Sequence, residues 1–441
     1  MSTAAALMEP SFDMDKLSYE IFSILESKFL FGYDDPKLLL QAVGASPAPT
    51  PPKAPAYSAG RVRVLSVDAG GATDGLLAAV SLARLEASLR KLSGEPSARI
   101  ADFFDVAAGS GVGGVLVALL FTRGAEGRPL LSAAGALEFI ARNRRVLQGA
   151  RRKTPQCLSG IFRKKADVGS LDRVLRRVFG DATLRDTVKP MLVPCYDLAT
   201  GAPFLFSRAG AVETDSYDFL VREVCAATAG AAELFSVDGR TAIAALDGGV
   251  AAGNPTAAAI THVLNNRTEF PFAAGVEDLL VVSIGNGESA PSANRRRGWR
   301  AAAAQADIVR IAGEGASDMV DQAVSMAFRH NRTNNYVRIQ ANVCSPTKFQ
   351  TSEAGDLLVS AETLLAQKGV ESVLFRGKRV SERTNAEKLE WAAAELVREH
   401  ESRKRCPIPV VVLKQGSPRS SSCSVLRSST SNSPMGVASP R

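Results

Sequence analysis

Three glycine-rich loops hold the candidate catalytic residues of this chain. Each loop follows an apolar run typical of a buried strand, and the loops are Asp68–Gly75, Gly109–Gly114 and Asp247–Gly249. Glycine amides can approach a ligand without side-chain obstruction, and a carboxylate can act as a base. Because ligands collect at the carboxyl ends of strands in open α/β sheets, the three loops predict one shared site.

The middle loop has the pattern of a turn that presents a catalytic nucleophile. The apolar run Phe103–Ala108 predicts a strand, the glycines that follow predict a sharp turn, and an apolar helical segment comes next. The apex of such a turn normally carries a serine, and here the residue is Gly111. Ser110, one residue earlier, is the candidate replacement. The turn therefore predicts nucleophilic chemistry but lacks the usual nucleophile.

The other two loops offer the remaining parts of acyl transfer. Ester hydrolysis needs paired amide donors for an oxyanion and a group that accepts a proton. Gly70 and Gly71 follow a predicted strand and are the candidate donors. Asp247 also follows a predicted strand and is the candidate base, although an aspartate before two glycines is equally typical of a turn cap.

Composition excludes several classes of protein. The chain has 441 residues, 46% of them hydrophobic, and a net charge of +8, which suits one large α/β domain with appendages. Six scattered cysteines without a Cys-x-x-Cys pair argue against a disulfide framework and a zinc site. The three histidines (His262, His330 and His400) are widely separated, which argues against a histidine metal site and a Ser-His-Asp triad.

The location of the protein is predicted from two segments. The first residues lack the basic region of a secretory signal, and Glu9 and Asp13 follow early. The most apolar segment, Val106–Phe121, is too short and too rich in glycine to span a bilayer. We therefore expect a cytoplasmic protein that is not secreted and is soluble or peripheral at membranes.

A dinucleotide site is the alternative interpretation of the middle loop. Gly109, Gly111 and Gly114 form Gly-x-Gly-x-x-Gly after a predicted strand. Such a site needs an acidic residue at the end of the next strand, about 20 residues further on. The residues after Leu119 predict no strand of that kind, and the chain has no Gly-Lys-Ser/Thr phosphate loop. Acyl transfer explains more of the pattern.

The alternation of strand, glycine turn and helix predicts the fold and its boundaries. This order is typical of an α/β fold with a mainly parallel sheet flanked by helices. Further strands are predicted at 190–196, 203–206, 242–246, 279–284 and 336–339. The predicted organisation is an N-terminal helical segment (1–43), a proline-rich linker (44–60), a main domain (61–287), a helical and strand extension of it (288–414) and a disordered serine-rich tail (415–441).

A basic stretch lies inside the main domain. Arg142–Lys165 contains nine basic residues and no acidic residue. It is either a solvated loop or a patch that binds anionic lipid headgroups, where each basic residue contributes roughly 1 kcal/mol. The near absence of aromatic residues argues against nucleic-acid binding. The residues assigned to a membrane contact are Arg144, Arg145, Arg151, Arg152 and Lys153.

Taken together, the loops resemble the patatin-like phospholipase family, and specifically the plant patatin-related group that has Gly-x-Gly-x-Gly in place of Gly-x-Ser-x-Gly. The matching segments are Leu65–Gly71, Phe103–Gly114, Leu246–Pro255 and Val281–Gly287, in the expected order within 61–287. The resemblance implies hydrolysis of acyl esters of phospholipids and galactolipids by a Ser-Asp dyad. It implies membrane lipids as partners and neither a metal nor another cofactor.

This chain departs from the family pattern at four points. The family serine falls on Gly111, Ala69 replaces a glycine of the first loop, the family arginine of that loop is absent, and the loop Asp68–Gly75 is one residue longer than usual. The resemblance supports Gly70, Gly71 and Asp247 in their roles, but it supplies no nucleophile. Two functions follow: a weak lipid acyl hydrolase with an unusual nucleophile or an activated water, or a non-catalytic lipid-binding or regulatory protein.

Overall fold

The computed structural model describes residues 60–152, 168–289, 305–330, 335–343, 354–373, 376–406 and 409–414. The predicted N-terminal helical segment, the linker before residue 60 and the serine-rich tail lie outside these ranges. The boundaries drawn there stay predictions.

The strands are β1 Val62–Val67, β2 Val106–Gly109, β3 Met191–Asp197, β4 Ala202–Ser207, β5 Ala231–Phe235, β6 Ala242–Leu246, β7 Leu279–Ile284, β8 Glu288–Ser289, β9 Tyr336–Ile339, β10 Asn342–Val343, β11 Lys368–Val373 and β12 Gly377–Thr384. The helices are α1 Leu76–Ser93, α2 Ile100–Phe103, α3 Val112–Phe121, α4 Ala133–Arg152, α5 Val168–Phe179, α6 Arg208–Glu213, α7 Val221–Ala229, α8 Gly248–Ala251, α9 Thr256–Asn265, α10 Gln305–His330, α11 Ala354–Ala366 and α12 Asn385–Lys404.

One large sheet organises these elements. Its strand order is β5-β6-β3-β2-β1-β7-β9, and β4 pairs with β3 outside this path. The strands β3, β2, β1, β7 and β9 run parallel, whereas β4 and β6 pair with β3 in the antiparallel direction and β5 pairs antiparallel with β6. The prediction of an α/β fold with a mainly parallel sheet flanked by helices is confirmed.

The sheet is buried on both faces, which explains why its central strands are continuous apolar runs. Leu65 and Val67 of β1 pack into a core with α1 and α3, while Val62 and Val64 of the same strand pack into a second core with α9 and α10. Alternate residues of β1 therefore pack into the two cores on opposite faces of the sheet. Within the described ranges, no helix combines the length and the apolar character needed to cross a bilayer.

The chain switches direction in the sheet order at β1. From β1 the chain moves to β2 and β3 on one side, and later returns to place β7 on the other side of β1. Loops at the carboxyl ends of such neighbouring strands leave a crevice that binds ligands. The loop that begins at Asp68 therefore starts at this switch point.

Two elements differ from the sequence prediction. The strand predicted at 103–108 begins only at Val106, because Ile100–Phe103 forms the short helix α2, where the Asp102 carboxylate accepts the amide of Arg99 at 2.8 Å. The hairpin of β11 and β12 was not predicted, because its second strand is largely exposed and polar. A short apolar run does not distinguish a buried helix turn from a strand.

Candidate active site

The turn between β2 and α3 has the strained geometry of a nucleophile turn. Gly111 lies at its apex with φ +54° and ψ −128°, a conformation that side-chain-bearing residues rarely adopt. Its amide donates to Thr228 Oγ1 at 2.9 Å, and that hydroxyl donates to the carbonyl of Pro194 at 2.9 Å. The apex is therefore held from below by a buried threonine.

The second and first glycine loops are in direct backbone contact. A Cβ atom on Gly113 would lie 2.4 Å from the carbonyl oxygen of Asp68. Only glycine at this position lets the start of α3 approach the end of β1 so closely. This contact sets the distance between the turn apex and the first loop.

All three loops converge on one methyl group, that of Ala69. Ala69 Cβ lies 3.3 Å from the position that a Cβ on Gly111 would occupy, and 3.1 Å from the corresponding position on Gly249. The same position on Gly111 is 3.7 Å from the amide nitrogen of Gly70. The structure thus brings together the first loop, the turn apex and the segment that follows Asp247.

Asp247 reaches this point from an antiparallel strand. Strand β4 occupies one side of β3 along Leu192–Asp197, so β2 and β6 both pair with its other side. Because β6 runs antiparallel to β3 and β2 runs parallel to it, the carboxyl ends of β2 and β6 point toward each other. They meet over Pro194, whose carbonyl oxygen would lie 2.5 Å from a Cβ on Gly248.

The environment of Asp247 suits both roles considered for it. Its carboxylate Oδ1 accepts the amide of Gly249 at 2.9 Å, which makes it the N-cap of α8. Its own amide donates to the carbonyl of Gly230 at 2.6 Å, and the residue is 9% exposed. The cap fixes the carboxylate beside Ala69 and the turn apex, where a base would have to be.

The first loop presents backbone amides that are not used within the fold. Gly70 and Gly71 donate amide hydrogen bonds to no acceptor within the described ranges. Their loop is held by Asn286, whose side-chain amide donates to the carbonyls of Asp68 at 2.8 Å and Ala69 at 3.1 Å. These are properties of a preorganised oxyanion site.

A buried ion pair anchors the start of this loop. Arg338 of β9 binds the Asp68 carboxylate through both guanidinium ends, with Nη1–Oδ1 at 2.9 Å and Nη2–Oδ2 at 2.5 Å. Arg338 Nη1 also donates to Ser283 Oγ at 2.8 Å. Burial would lower the pKa of Arg338, but Asp68 raises it above its ordinary value, so the guanidinium stays charged.

Ser110 is not placed to act at the apex. Its side chain is fully buried, and its hydroxyl has no hydrogen-bond partner among the described residues, Asp247 included. Its Oγ lies 3.1 Å from the position of a Cβ on Gly248, beneath the surface of the site. In this arrangement a substrate ester cannot reach the oxygen.

The basic residues assigned to a membrane contact are placed differently from one another. Arg144 is 5% exposed within α4, where burial and the neighbouring Arg145 lower its pKa, and the membrane contact assigned to it stays a prediction. Arg145 is exposed on the same helix. Arg151 and Arg152 end α4, whose helical backbone replaces the predicted loop, and Lys153 lies outside the described residues.

Sequence reasoning missed three residues that position the site, namely Thr228, Asn286 and Arg338. Asn286 stands between two glycines after an apolar strand, and this pattern could have marked it as a loop anchor. Thr228 and Arg338 carry no comparable signal. In the part of the chain that the structure describes, no group of three or more histidine, cysteine or acidic side chains could hold a metal ion.

The three glycine-rich loops of this α/β sheet bring a fixed carboxylate, unused backbone amides and a strained turn near one methyl group, which is the arrangement expected of an α/β acyl-hydrolase scaffold. Comparison with known proteins gives the same class. The family described as patatin-like phospholipase matches residues 65–260. Patatin-like protein 3 of Oryza sativa subsp. indica is 52% identical over 404 residues, which cover 89% of this chain and 92% of that protein. The chain therefore belongs to the patatin-like proteins.

Two further similarities complete the comparison. A protein named probable inactive patatin-like protein 9, from Arabidopsis thaliana, is 41% identical over 87% of this chain and 93% of its own length. The crystal structure of VipD from Legionella pneumophila aligns with a TM-score of 0.30 and 10% identity, over 77% of this chain and 67% of that chain. A TM-score of this size carries no argument about the site.

Proposed function

We propose that this protein slowly hydrolyses acyl esters of phospholipids and galactolipids with a water molecule that Asp247 activates. The observation that carries the proposal is the convergence on Ala69. The unused amide of Gly70 lies 3.7 Å from the position of a Cβ on Gly111, and the Asp247 carboxylate caps α8 at Gly249, which approaches the methyl group of Ala69. Because Gly111 supplies no nucleophilic side chain, a water molecule takes that role in the proposal.

The reaction follows from these positions. The amides of Gly70 and Gly71 bind the ester carbonyl oxygen and stabilise the negative charge that develops on it. Asp247 accepts a proton from the water as its oxygen attacks the carbonyl carbon. The tetrahedral intermediate then expels the alcohol, whose oxygen takes the proton held by Asp247 as the carbon–oxygen bond breaks, and the fatty acid leaves. Loss of a serine nucleophile costs about 10⁶ in turnover and leaves roughly 10³–10⁴ over water.

The substrate class implies work at a lipid surface. Phospholipid and galactolipid esters reside in membranes, and we propose that the protein binds membranes peripherally. Arg145 of α4 is exposed and is available for contact with anionic headgroups, and the exposed Arg142 on the same helix pairs with Glu138.

The test is fatty-acid release from phosphatidylcholine and galactolipid vesicles by the full chain and by Asp247→Asn. This substitution keeps an oxygen that can cap α8 but removes the base. We expect at least a tenfold loss of release with an unchanged melting temperature. Asp238→Ala, which changes an aspartate in a turn away from the site, is the matched control and keeps full activity. Release that does not depend on Asp247 contradicts the proposal.

The second candidate function is non-catalytic lipid binding. The specific observation in its favour is the burial of Ser110 beneath an apex formed by Gly111, which leaves no nucleophile exposed. The similarity to a relative named as probably inactive agrees with it. Flotation with lipid vesicles combined with absent fatty-acid release favours this candidate over hydrolysis.

A further inference from the structure

A cavity lies at the edge of the sheet that is opposite the candidate active site. It has a volume of about 220 Å³. Arg63 is the second residue of β1, Asp105 directly precedes β2, and Lys189 lies two residues before the start of β3. The first two glycine loops follow the other ends of β1 and β2. With about 3.3 Å per residue, the six residues of β1 separate the two regions by roughly 20 Å.

The wall of the cavity is built around one carboxylate held by two guanidinium groups. Arg403 donates to both oxygens of Asp105 at 2.8 Å. Arg63 donates to the same carboxylate from its amide at 2.8 Å and from Nη2 at 3.2 Å. Burial would raise the pKa of Asp105, but the two arginines lower it far below its usual range. Both oxygens of the Asp105 carboxylate therefore accept hydrogen bonds from these two arginines.

Lys189 adds a third positive charge that is not compensated. Its ammonium group forms no hydrogen bond and no ion pair with any residue in the described ranges. Three cations therefore line the cavity against the single carboxylate of Asp105, and the net charge of the wall is +2. Burial lowers the pKa of Lys189, which indicates that its charge is poorly solvated. A bound anion would compensate this charge.

More distant ion pairs balance among themselves and leave this excess in place. Glu399 approaches Arg403 Nε at 3.6 Å and Arg61 Nε at 3.2 Å, while Arg61 also pairs with Glu395, which binds Arg398 as well. Asp102 attracts Lys189, but its carboxylate is paired with Arg128 at 3.4 Å. His400 contacts Arg63 through Nδ1 at 3.4 Å, and burial and this guanidinium lower its pKa. A neutral histidine adds no negative charge to the wall.

Size and shape limit what the cavity can bind. A volume of about 220 Å³ is below the range of roughly 300–1,000 Å³ that holds drug-sized ligands. Pro409 is exposed and Lys189 is half-buried, so the cavity reaches solvent. Pro409 and the buried Val410 give it one apolar side. A small anion with a compact organic substituent fits this lining.

We propose that this cavity is a phosphate-binding site in which Lys189 is the principal ligand. A phosphate monoester carries a charge of about −1.5 to −2 at neutral pH, which matches the net charge of the wall better than a single carboxylate does. Lysine binds phosphate as a point charge, and three unused donors of Lys189 are available. The ligand is either a free phosphate or small phosphomonoester, or the phosphate of a lipid headgroup.

The experiment measures binding to the full chain at constant ionic strength. Inorganic phosphate and glycerol phosphate are titrated calorimetrically, with chloride as the comparison anion. Vesicles of phosphatidylcholine with and without phosphatidic acid form the second arm, read by flotation. We expect saturable binding in at least one arm. Binding of the soluble anions identifies the free ligand, and binding confined to phosphatidic acid identifies the lipid.

The variant Lys189→Met separates a ligand from a structural lysine. We expect it to weaken phosphate binding at least tenfold in the arm that binds. In phosphate-free buffer its melting temperature should equal or exceed that of the natural protein, because an uncompensated charge is removed. Lys91→Met, at an exposed lysine of α1, is the matched control and leaves binding unchanged. No saturable binding in either arm, or equal binding by Lys189→Met, overturns the proposal.

Discussion

The methyl group of Ala69 lies 3.3 Å from the position that a Cβ atom on Gly111 would occupy. Ala69 cannot withdraw easily, since its amide donates to the carbonyl of Gly253 at 3.0 Å and its carbonyl accepts from Asn286. The family pattern that the sequence resembles has a glycine at position 69 and a serine at position 111, where this chain has Ala69 and Gly111. The methyl group of Ala69 therefore lies next to the position that a serine side chain would occupy at residue 111.

This relationship predicts that restoring the serine alone is not sufficient. Gly111→Ser places a Cβ closer to Ala69 than the 3.5–4.0 Å of a favourable carbon contact, at a backbone conformation that costs about 1–3 kcal/mol. We expect the double variant Ala69→Gly/Gly111→Ser to release fatty acid at least tenfold faster than Gly111→Ser. The measurement is the initial rate with phosphatidylcholine vesicles.

Ala69→Gly alone is the control for this pair, because it opens the space without adding a nucleophile. We expect its rate to equal that of the natural protein. Equal rates for Gly111→Ser and the double variant would show that the Ala69 methyl does not limit the site.

Thr228 is expected to stabilise the turn apex. Thr228→Val keeps the shape of the side chain but removes the oxygen that accepts the Gly111 amide, so a buried donor loses its partner. The expected cost is about 1–3 kcal/mol in the free energy of unfolding, measured with urea. Thr363→Val, at an exposed threonine of α11, should change it by less than about 0.5 kcal/mol. If Thr228→Val leaves the free energy of unfolding unchanged, Thr228 does not stabilise the turn apex.

The ion pair of Asp68 and Arg338 is expected to behave as a buried unit. Arg338→Met leaves the Asp68 carboxylate buried without its partner and should cost about 3–5 kcal/mol in the free energy of unfolding. The double variant Asp68→Asn/Arg338→Met should be more stable than Arg338→Met, because no charge is left unpaired.

The surface ion pair of Arg84 and Glu390 is the control for the buried pair of Asp68 and Arg338. Both side chains are exposed, and Arg84→Met should cost less than about 1 kcal/mol. If Arg338→Met is as mild as Arg84→Met, the buried pair does not anchor the first loop.

Asp105 predicts a defined dependence of stability on pH. Its pKa in the folded state lies far below the unfolded value of about 3.9, so the carboxylate contributes its full stabilisation above about pH 4 to 5. That contribution decreases as the pH falls below the unfolded value toward the folded one. The difference in unfolding free energy between the natural protein and Asp105→Asn should be constant from about pH 7 to 5. It should narrow by roughly 0.5–1 kcal/mol at about pH 3.5.

Asp172→Asn controls for the general effect of acid, since Asp172 pairs with Arg176 on an exposed helix face. Its difference from the natural protein should stay within about 0.5 kcal/mol throughout. A difference for Asp105→Asn that widens on acidification would contradict the assigned direction.

The sequence allowed the fold and the convergence of the glycine loops to be predicted for a physical reason. The turns after β1 and β2 each follow a strand that is buried on both faces, and such strands show as continuous apolar runs. Parallel strands with these turns leave few arrangements other than an α/β sheet with ligands at the carboxyl ends.

The route by which Asp247 reaches the site could not be predicted. The parallel-sheet rule placed it correctly, but β6 is antiparallel to β3 and meets β2 end to end. Strand direction depends on pairing partners that are distant in sequence, which local patterns do not encode. The same holds for Thr228 and Arg338, whose partners lie 117 and 270 residues away.

Local sequence patterns also could not predict which residues of a helix are buried. Arg144 belongs to a run of basic residues that indicated an exposed patch, yet it faces inward from α4. The helical period turns one residue of such a run toward the core, and only the packing of α4 against its neighbours decides which residue that is.

A search for a covalent acyl-enzyme intermediate is the most direct test of hydrolysis by an activated water. The full chain is mixed with phosphatidylcholine vesicles, quenched in acid during turnover and analysed by intact-mass spectrometry, with fatty-acid release followed in the same sample. We predict release without an acyl adduct, because water attacks the ester and no side chain at the apex does. An acyl adduct on Ser110, or no release at all, would contradict the account.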